Sequence, residues 1–343
     1  METRLIKVDD SNMLTAAKEA AELLCSGHVV AIPPETVYGL AASIYSEEAL
    51  KEVYSVKGRP QDNPVIVHIS DEAMLEGIVT DIPEDAKVLA EHFWPGPLTM
   101  IFRKRDTVSD TITCGLDTVA VRYPSHPVAH AVIEAAGVPL AAPSANLSGR
   151  PSPTTAEHCV HDLWGRVPLV LDGGQCDVGV ESTVVSVTGD HPVILRPGII
   201  SLEEIRQYLP DAEVSEAVRR KVADDEKVAS PGLKYKHYSP ECKVILVKGS
   251  LEAFSDYVTQ HHEEGDYAMC FSGEEDRIPI PCLIYGEEGD ARSQAHSIFA
   301  VLRRLDDIGA KRVFVRAPEE GGRSMAVSNR LMRAAGFEEV ILP

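Results

Sequence analysis

The stretch Lys57-Gly-Arg-Pro-Gln-Asp-Asn-Pro-Val-Ile-Val-His68 places two cations, two prolines and an imidazole within twelve residues. Gly58 and Pro60 disfavour a continuing helix, so a loop is predicted here, and the apolar residues 65–67 predict a short buried strand that ends at His68. Lys57 and Arg59 are therefore expected on a rigid turn. Such a pair suits a polyphosphate, because Arg binds two oxygens at once and Lys acts as a point charge. A solvated basic turn is the alternative.

Length and charge limit the choices around this stretch. A chain of 343 residues is long for a single core, which favours two domains. Its net charge of −20 at pH 7 argues against tight, salt-dependent binding to nucleic acid. A local basic pocket for a small anion remains compatible with an acidic chain.

Cysteine and histidine usage predicts a reducing compartment and no metal centre. The seven cysteines include no Cys-x-x-Cys pair, as is typical of a cytoplasmic protein. No apolar run has the length of a signal peptide or of a membrane span, so no membrane association is expected. His126 with His130, and His158 with His161, have helical spacing but lack a third ligand at a familiar offset, so surface histidines are favoured.

Helical and strand patterns alternate through the first two thirds of the chain, which indicates an α/β domain. Helices are predicted at 13–27, 47–55, 84–92, 127–136, 156–163 and 202–208. Strands are predicted at 29–32, 65–68, 118–122, 139–142, 168–172, 180–187 and 193–196.

Polar side chains cluster where these strands end, as is common in α/β enzymes. Thr36 follows the strand 29–32, and Arg122 ends the strand 118–122. The loop 143–155 is rich in hydroxyls, and Arg196 ends a further strand. Each has a simpler alternative: Thr36 as a helix cap, Arg122 as a structural ion-pair partner, and 143–155 as an ordinary Ser/Pro/Gly loop.

A change of composition near residue 210 predicts three parts: a catalytic domain at 1–209, a linker at 210–241 and a C-terminal domain at 242–343. The linker is charged and ends in Ser230-Pro-Gly-Leu-Lys-Tyr-Lys-His-Tyr-Ser-Pro240. Strands at 244–248, 267–272, 281–285, 312–316 and 338–342 and helices at 251–263, 291–308 and 325–335 predict a small Rossmann-like, doubly wound domain. It lacks G-x-G-x-x-G and Walker A sequences.

Several motifs, in this order, resemble the threonylcarbamoyl-AMP synthase family in its long two-domain form. They are Pro-Glu-Thr-Val-Tyr-Gly-Leu, Lys57-Gly-Arg-Pro, Pro-Gly-Pro-Leu-Thr, Val-Arg-Tyr-Pro-Ser-His-Pro, Ala-Pro-Ser-Ala-Asn-Leu-Ser-Gly, Glu-Ser-Thr-Val-Val, Arg-Pro-Gly and the linker motif. The resemblance spans nearly the whole chain. One departure is Pro34, where the family usually has a Thr, which removes a hydroxyl.

The resemblance implies a YrdC-like twisted mixed sheet with helices, followed by the smaller domain. It also implies an enzyme that joins L-threonine, bicarbonate or CO2, and ATP into threonylcarbamoyl-AMP with release of pyrophosphate. Mg²⁺ would arrive with ATP, held mainly by its phosphates, with no metal site on the protein. The product would pass to a tRNA threonylcarbamoyl transferase complex, without tight tRNA binding by this chain.

The resemblance also implies a set of site residues. Lys57 and Arg59 would be catalytic. ATP would contact Lys57, Arg59, Asn63, Thr118, Ser144, Asn146, Ser152, Arg196 and Tyr235. L-Threonine would contact Thr36, His68, Arg122, the Ala142 backbone and Ser182.

The linker is expected to close over the active site as a lid, because long loops in compact proteins tend to be functional and the mixed anhydride must be kept from water. A spacer that only docks the two domains is the alternative. Two alternatives for the chain come from other classes. One is a nucleic-acid-binding module, which the acidic charge disfavours. The other is a carbamoyl transferase of the hydrogenase-maturation kind, which would add Cys-x-x-Cys zinc elements.

Overall fold

The computed structural model describes residues 1–218 and 238–343. These residues form two compact units: the first contains 1–148 and 152–218, and the second contains 149–151 and 238–343. Most of the predicted lid, and Tyr235 with it, lies outside the described residues.

The first unit contains one eleven-stranded mixed sheet in the order β1-β8-β2-β3-β7-β4-β6-β5-β9-β10-β11. Its strands are β1 (Arg4–Lys7), β2 (Val30–Ile32), β3 (Gly39–Ser43), β4 (Val67–His68), β5 (Leu98–Arg103), β6 (Thr118–Arg122), β7 (Leu140–Ala141), β8 (Leu169–Asp172), β9 (Thr183–Ser186), β10 (Val193–Arg196) and β11 (Glu213–Val214). Both parallel and antiparallel pairs occur, which confirms the predicted α/β class with a mixed sheet.

Eight helices accompany this sheet within the described residues. They are α1 (Met13–Cys25), α2 (Glu47–Lys57), α3 (Glu72–Ile78), α4 (Glu84–Phe93), α5 (Asp110–Thr113), α6 (Pro127–Ala136), α7 (Ala156–Leu163) and α8 (Leu202–Arg206). Local chemistry sets several ends. Ser46 accepts a hydrogen bond from the Ala49 amide at the start of α2, and Gly58 ends that helix in the left-handed conformation at φ 61°.

The apolar residues 29–32 pack on both faces of the first sheet. Val29 and Ala31 belong to one hydrophobic cluster, whereas Val30 and Ile32 belong to another. Because successive side chains of a strand point to opposite faces, one short segment contributes to two cores. The strand ends that carry polar groups are therefore held between two packed layers.

The second unit has a five-stranded sheet in the order β14-β13-β15-β12-β16, in which every pair is parallel. Its strands are β12 (Lys243–Lys248), β13 (Asp266–Cys270), β14 (Cys282–Ile284), β15 (Arg312–Arg316) and β16 (Glu339–Ile341). Its helices are α9 (Leu251–His261), α10 (Ala291–Asp307) and α11 (Ser324–Ala334).

The sequence-based assignment starts the linker at residue 210, which is too early in the chain. Glu213 and Val214 form β11, which pairs in parallel with β10, and Ala212 and Val218 are buried. The apolar residues within this acidic stretch add an edge strand to the first sheet, so its first part belongs to the first unit.

Candidate functional site

The predicted site residues meet along one row of neighbouring strands. His68 at the end of β4 is the register partner of Arg122 on β6, and Arg122 is in turn the partner of Thr99 on β5. Thr99 pairs with Val184 on β9, which brings Ser182 to the same row. The strand order, which does not follow the chain order, thus gathers residues from four separate segments.

Arg122 is the centre of this row and is buried. Its Nη1 donates to the Thr36 hydroxyl at 2.6 Å, and its Nε donates to the Gly96 carbonyl at 3.2 Å. Its Nη2 lies 2.7 Å from a carboxylate oxygen of Glu35, and the two side chains are only 4% and 6% exposed. Arg122 is therefore held in one orientation by three contacts.

Glu35 is a residue that the sequence-based site set missed. Burial alone would raise the pKa of Glu35, but the charge and hydrogen bond of the Arg122 guanidinium, together with backbone hydrogen bonds, outweigh burial and hold that pKa below its ordinary value of 4.5. Glu35 therefore stays ionised at neutral pH. Its position beside Thr36, directly after a buried strand, was the available signal.

His68 is neutral in this environment. Burial, together with the nearby Arg122 charge, lowers the pKa of His68 to about 3. Its Nδ1 is buried and has no hydrogen-bond partner in the described part of the chain. A neutral imidazole with an unmatched nitrogen can bind a polar ligand but adds no positive charge at physiological pH.

Ser182 joins the two predicted subsites. Its hydroxyl lies 2.7 Å from the Thr99 hydroxyl and accepts a hydrogen bond of 3.1 Å from Arg196 Nη2. Arg196 also donates to the Ser182 carbonyl at 3.0 Å. The residue assigned to threonine and the arginine assigned to ATP are therefore in direct contact, so the subsites adjoin.

Lys57 does not extend from a turn, and the sequence-based prediction is wrong on this point. It is the last residue of α2, because the helix ends only at Gly58. Its side chain is buried. Its Nζ donates to the Ser144 carbonyl, to the Asn146 carbonyl at 2.7 Å and to Asn146 Oδ1 at 3.3 Å. Lys57 thus holds the loop that carries two other predicted ATP residues.

Arg59 does lie in the loop after α2. Its Nη2 donates to the carbonyls of Asn63 and Pro64 at 3.1 and 3.0 Å, which curls the chain back on itself. The Asn63 side chain is buried, and its Oδ1 has no hydrogen-bond partner within residues 1–218 and 238–343. This segment therefore carries a fixed cation beside an unmatched amide oxygen.

The loop 143–155 contributes further predicted residues. The Ala142 amide donates to the Ile66 carbonyl at 3.0 Å, and Ser144 forms a backbone bridge with Gly39. Ser152 donates to Glu181 at 2.5 Å, next to Ser182 in the chain. These contacts tie the loop to the same row of strand ends.

Two predicted ATP residues are not joined to this network by the described contacts. Thr118 begins β6 and Arg122 ends it, which separates them by about 13 Å at the usual rise per residue. Tyr235 lies outside the described residues.

The donor set favours binding of anions over binding of a metal by the protein. Four cationic side chains, Lys57, Arg59, Arg122 and Arg196, accompany hydroxyls and amides, and this combination suits phosphate and carboxylate groups. Across the described ranges, no three His, Cys, Asp or Glu side chains are grouped to hold a metal ion. None of the helices described is long and apolar enough to cross a membrane.

Two family models match the chain. The Sua5/YciO/YrdC model, described as "Telomere recombination", matches residues 22–198. A model described as "Threonylcarbamoyl-AMP synthase, C-terminal domain" matches residues 200–336. Together they cover the two units in chain order.

Characterised relatives match along nearly the whole length. The chain is 42% identical to the threonylcarbamoyl-AMP synthase of Pyrococcus abyssi over 324 residues, which cover 93% of each protein. It is 42% identical to that of Bacillus subtilis, over 93% of this chain and 92% of the relative. The crystal structure of P. abyssi Sua5 complexed with L-threonine superposes with a TM-score of 0.92 at 38% identity, covering 99% of this chain and all of that one.

Proposed function

This chain belongs to the threonylcarbamoyl-AMP synthase family in its two-domain Sua5 form, and we propose that the row of strand ends around Arg122 is its active site. The enzyme makes threonylcarbamoyl-AMP from L-threonine and ATP for the threonylcarbamoyladenosine modification of tRNA. The observation that carries the proposal is the direct contact of Arg196 with Ser182, because a guanidinium suits a phosphate and the adjoining hydroxyl suits an amino acid.

The reaction is that of a nucleotidyltransferase. A carbamate oxygen of N-carboxythreonine attacks the α-phosphorus of ATP, the bond from that phosphorus to the bridging oxygen breaks, and pyrophosphate leaves with the electron pair. Both reactants are anions, so fixed cations are needed to offset their repulsion. Arg196 and Arg59 supply that charge.

L-Threonine occupies the Arg122 end of the site. Arg122 pairs with its carboxylate, since a guanidinium matches a carboxylate in a planar pair. Thr36 and Ser182 offer hydroxyls to the polar groups of threonine, and neutral His68 offers its unmatched nitrogen. The P. abyssi relative is known in complex with L-threonine, which supports threonine as the amino-acid substrate.

ATP lies along the loops that follow α2 and β7. Lys57 keeps Ser144 and Asn146 in place through its hydrogen bonds and adds a positive charge to the phosphate region. Arg59, Asn63 and Ser152 complete the phosphate contacts, and Thr118 and Tyr235 contact the nucleotide farther from the phosphates.

Mg²⁺ would enter with ATP, held by its phosphates, and would further neutralise the phosphate charge. The nearby donors are mostly cations, amides and hydroxyls, which fit a phosphate-bound ion better than one held by the protein. Bicarbonate supplies the carboxyl group of the carbamate, and the product passes to a tRNA threonylcarbamoyl transferase complex.

The decisive test is pyrophosphate release from ATP, measured with threonine and bicarbonate present together and with each omitted. Release is expected only in the complete mixture, with threonylcarbamoyl-AMP identified by mass. Release at the same rate without threonine would refute the proposed reaction.

A further inference from the structure

A crevice of about 700 Å³ opens at the carboxyl ends of the strands in the second unit. Its walls come from the segments that directly follow three neighbouring strands: 248–252 after β12, Phe271 after β13, and 316–320 after β15. Its volume lies in the range of small-molecule sites.

The crevice coincides with a change in the direction of the sheet connections. From β13 the chain moves outward to β14, whereas from the adjacent β15 it moves the opposite way, past β12, to β16. Where such connections diverge, the loops separate and leave a cleft, and ligands of open α/β sheets bind there. The topology therefore marks the same place as the cavity.

Arg316 forms the base of this crevice, with only 8% of its side chain exposed. It is bonded to Glu274 and, at 2.7 Å, to Glu288, and its guanidinium lies 4.9 Å from the centre of the Phe271 ring. Its Nε is buried and makes no hydrogen bond within the described part of the chain. The Arg316 guanidinium is thus held in place, and its Nε–H group has no acceptor among the described residues.

A second cation lies beside it. Lys248 Nζ contacts Glu320 at 2.8 Å and Glu339 at 2.9 Å. Burial alone would lower the pKa of Lys248, but these two carboxylates raise it above its ordinary value, so the amine stays charged. The deeper two of the charged side chains that line the crevice, Arg316 and Lys248, are therefore cations, with the buried Glu274 beside Arg316.

The rim carries the opposite charge. Glu288 and Glu320 are 58% and 75% exposed, although they are partners of the deeper Arg316 and Lys248. Both carboxylates are largely solvated, so a ligand carboxylate can displace them at little cost. The charged side chains that line the crevice are four carboxylates, Glu252, Glu288, Glu319 and Glu320, and three cations, Lys248, Arg277 and Arg316.

We propose that this crevice binds a small zwitterion of the amino-acid class. Its carboxylate replaces Glu288 and Glu320 on Arg316 and Lys248, and its ammonium group faces the released rim carboxylates. A polyphosphate would meet four carboxylates at the entrance, and a simple cation would leave the deep arginine donor unsatisfied. Because the cations Arg316 and Lys248 lie deep and the carboxylates of Glu288 and Glu320 lie at the rim, a ligand that carries both a negative and a positive charge is favoured.

The test is calorimetric titration of the full-length protein with each common L-amino acid except threonine, which the Arg122 site binds under the proposed function, compared with inorganic phosphate and spermidine. At least one amino acid is expected to bind with a Kd below about 1 mM. Arg316→Met should weaken that binding at least about tenfold, or 1.4 kcal/mol. Arg304→Met is the matched control, because Arg304 is 61% exposed, lies outside the crevice and pairs with Asp307 at 3.7 Å.

If Arg316→Met fails to fold, Glu288→Lys provides a second test of the same site. It changes an exposed side chain, places a cation at the rim and should weaken the same amino acid about tenfold by repelling its ammonium. The proposal is overturned if no amino acid binds by about 10 mM, if binding is equal in wild type and both variants, or if only phosphate or only spermidine binds.

Discussion

Replacing Glu35 by Gln should reveal how strongly the buried pair orders the threonine site. The substitution keeps the shape of the side chain but removes the charge that faces Arg122 at 2.7 Å. At an effective dielectric constant of about 20, two charges centred about 4 Å apart attract by about 4 kcal/mol. Gln retains a dipole toward Arg122, so we expect a coupling of roughly 3 kcal/mol, at the low end for breaking a buried pair.

The assay is a double-mutant cycle in urea that combines Glu35→Gln with Arg122→Gln. The cycle cancels the separate loss of the Arg122 bond to Thr36, which both Arg122 variants share. Glu84→Gln is the matched control, since Glu84 and Lys87 form an ion pair that is 79% and 60% exposed and should contribute less than about 1 kcal/mol. A coupling for Glu35 and Arg122 as small as that of the surface pair would refute the reasoning.

The pH dependence of the Glu35 effect has a definite sign. The folded-state pKa of Glu35 is lowered, so its contribution to stability is fully present above the ordinary value of 4.5. It is lost as the pH falls through the lower folded-state value. The stability difference between wild type and Glu35→Gln should therefore be constant from neutral pH to about pH 5.5 and shrink below 4.5; a difference that grew toward acid pH would contradict this.

Three further predictions concern the proposed site. Arg122→Ala should raise the KM for threonine far more than the KM for ATP, and equal increases would mean that Arg122 serves the fold alone. Lys57→Ala and Arg59→Ala should each lower the rate of pyrophosphate release about a hundredfold, or ~3 kcal/mol, whereas near-normal rates would remove them from the site. The ring-proton NMR shifts of His68 should stay constant from pH 8 to pH 5, because its pKa is about 3; a titration near 6.5 would show that the ring is solvated.

Local chemistry in the sequence determined most element positions. The helix predicted at 127–136 is found at Pro127–Ala136, since Pro127 suits a first helical turn and Gly137 ends the helix with φ at 64°. Arg122 was also predicted at the end of the strand 118–122, where the structure has it. Such features depend on neighbouring residues, so they are visible without a fold.

Only the tertiary structure decided which of these residues meet. Glu35 follows β2 and binds Arg122 at the end of β6, although β3, β7 and β4 separate these two strands in the sheet. His68, Arg122 and Thr99 are aligned because the sheet order β4-β6-β5 brings together segments that are distant in the chain. The same packing buries Lys57 against the carbonyls of Ser144 and Asn146, where its local sequence predicted an exposed turn. A side chain's partners and burial depend on long-range strand pairing, and this pairing is not encoded in any single motif.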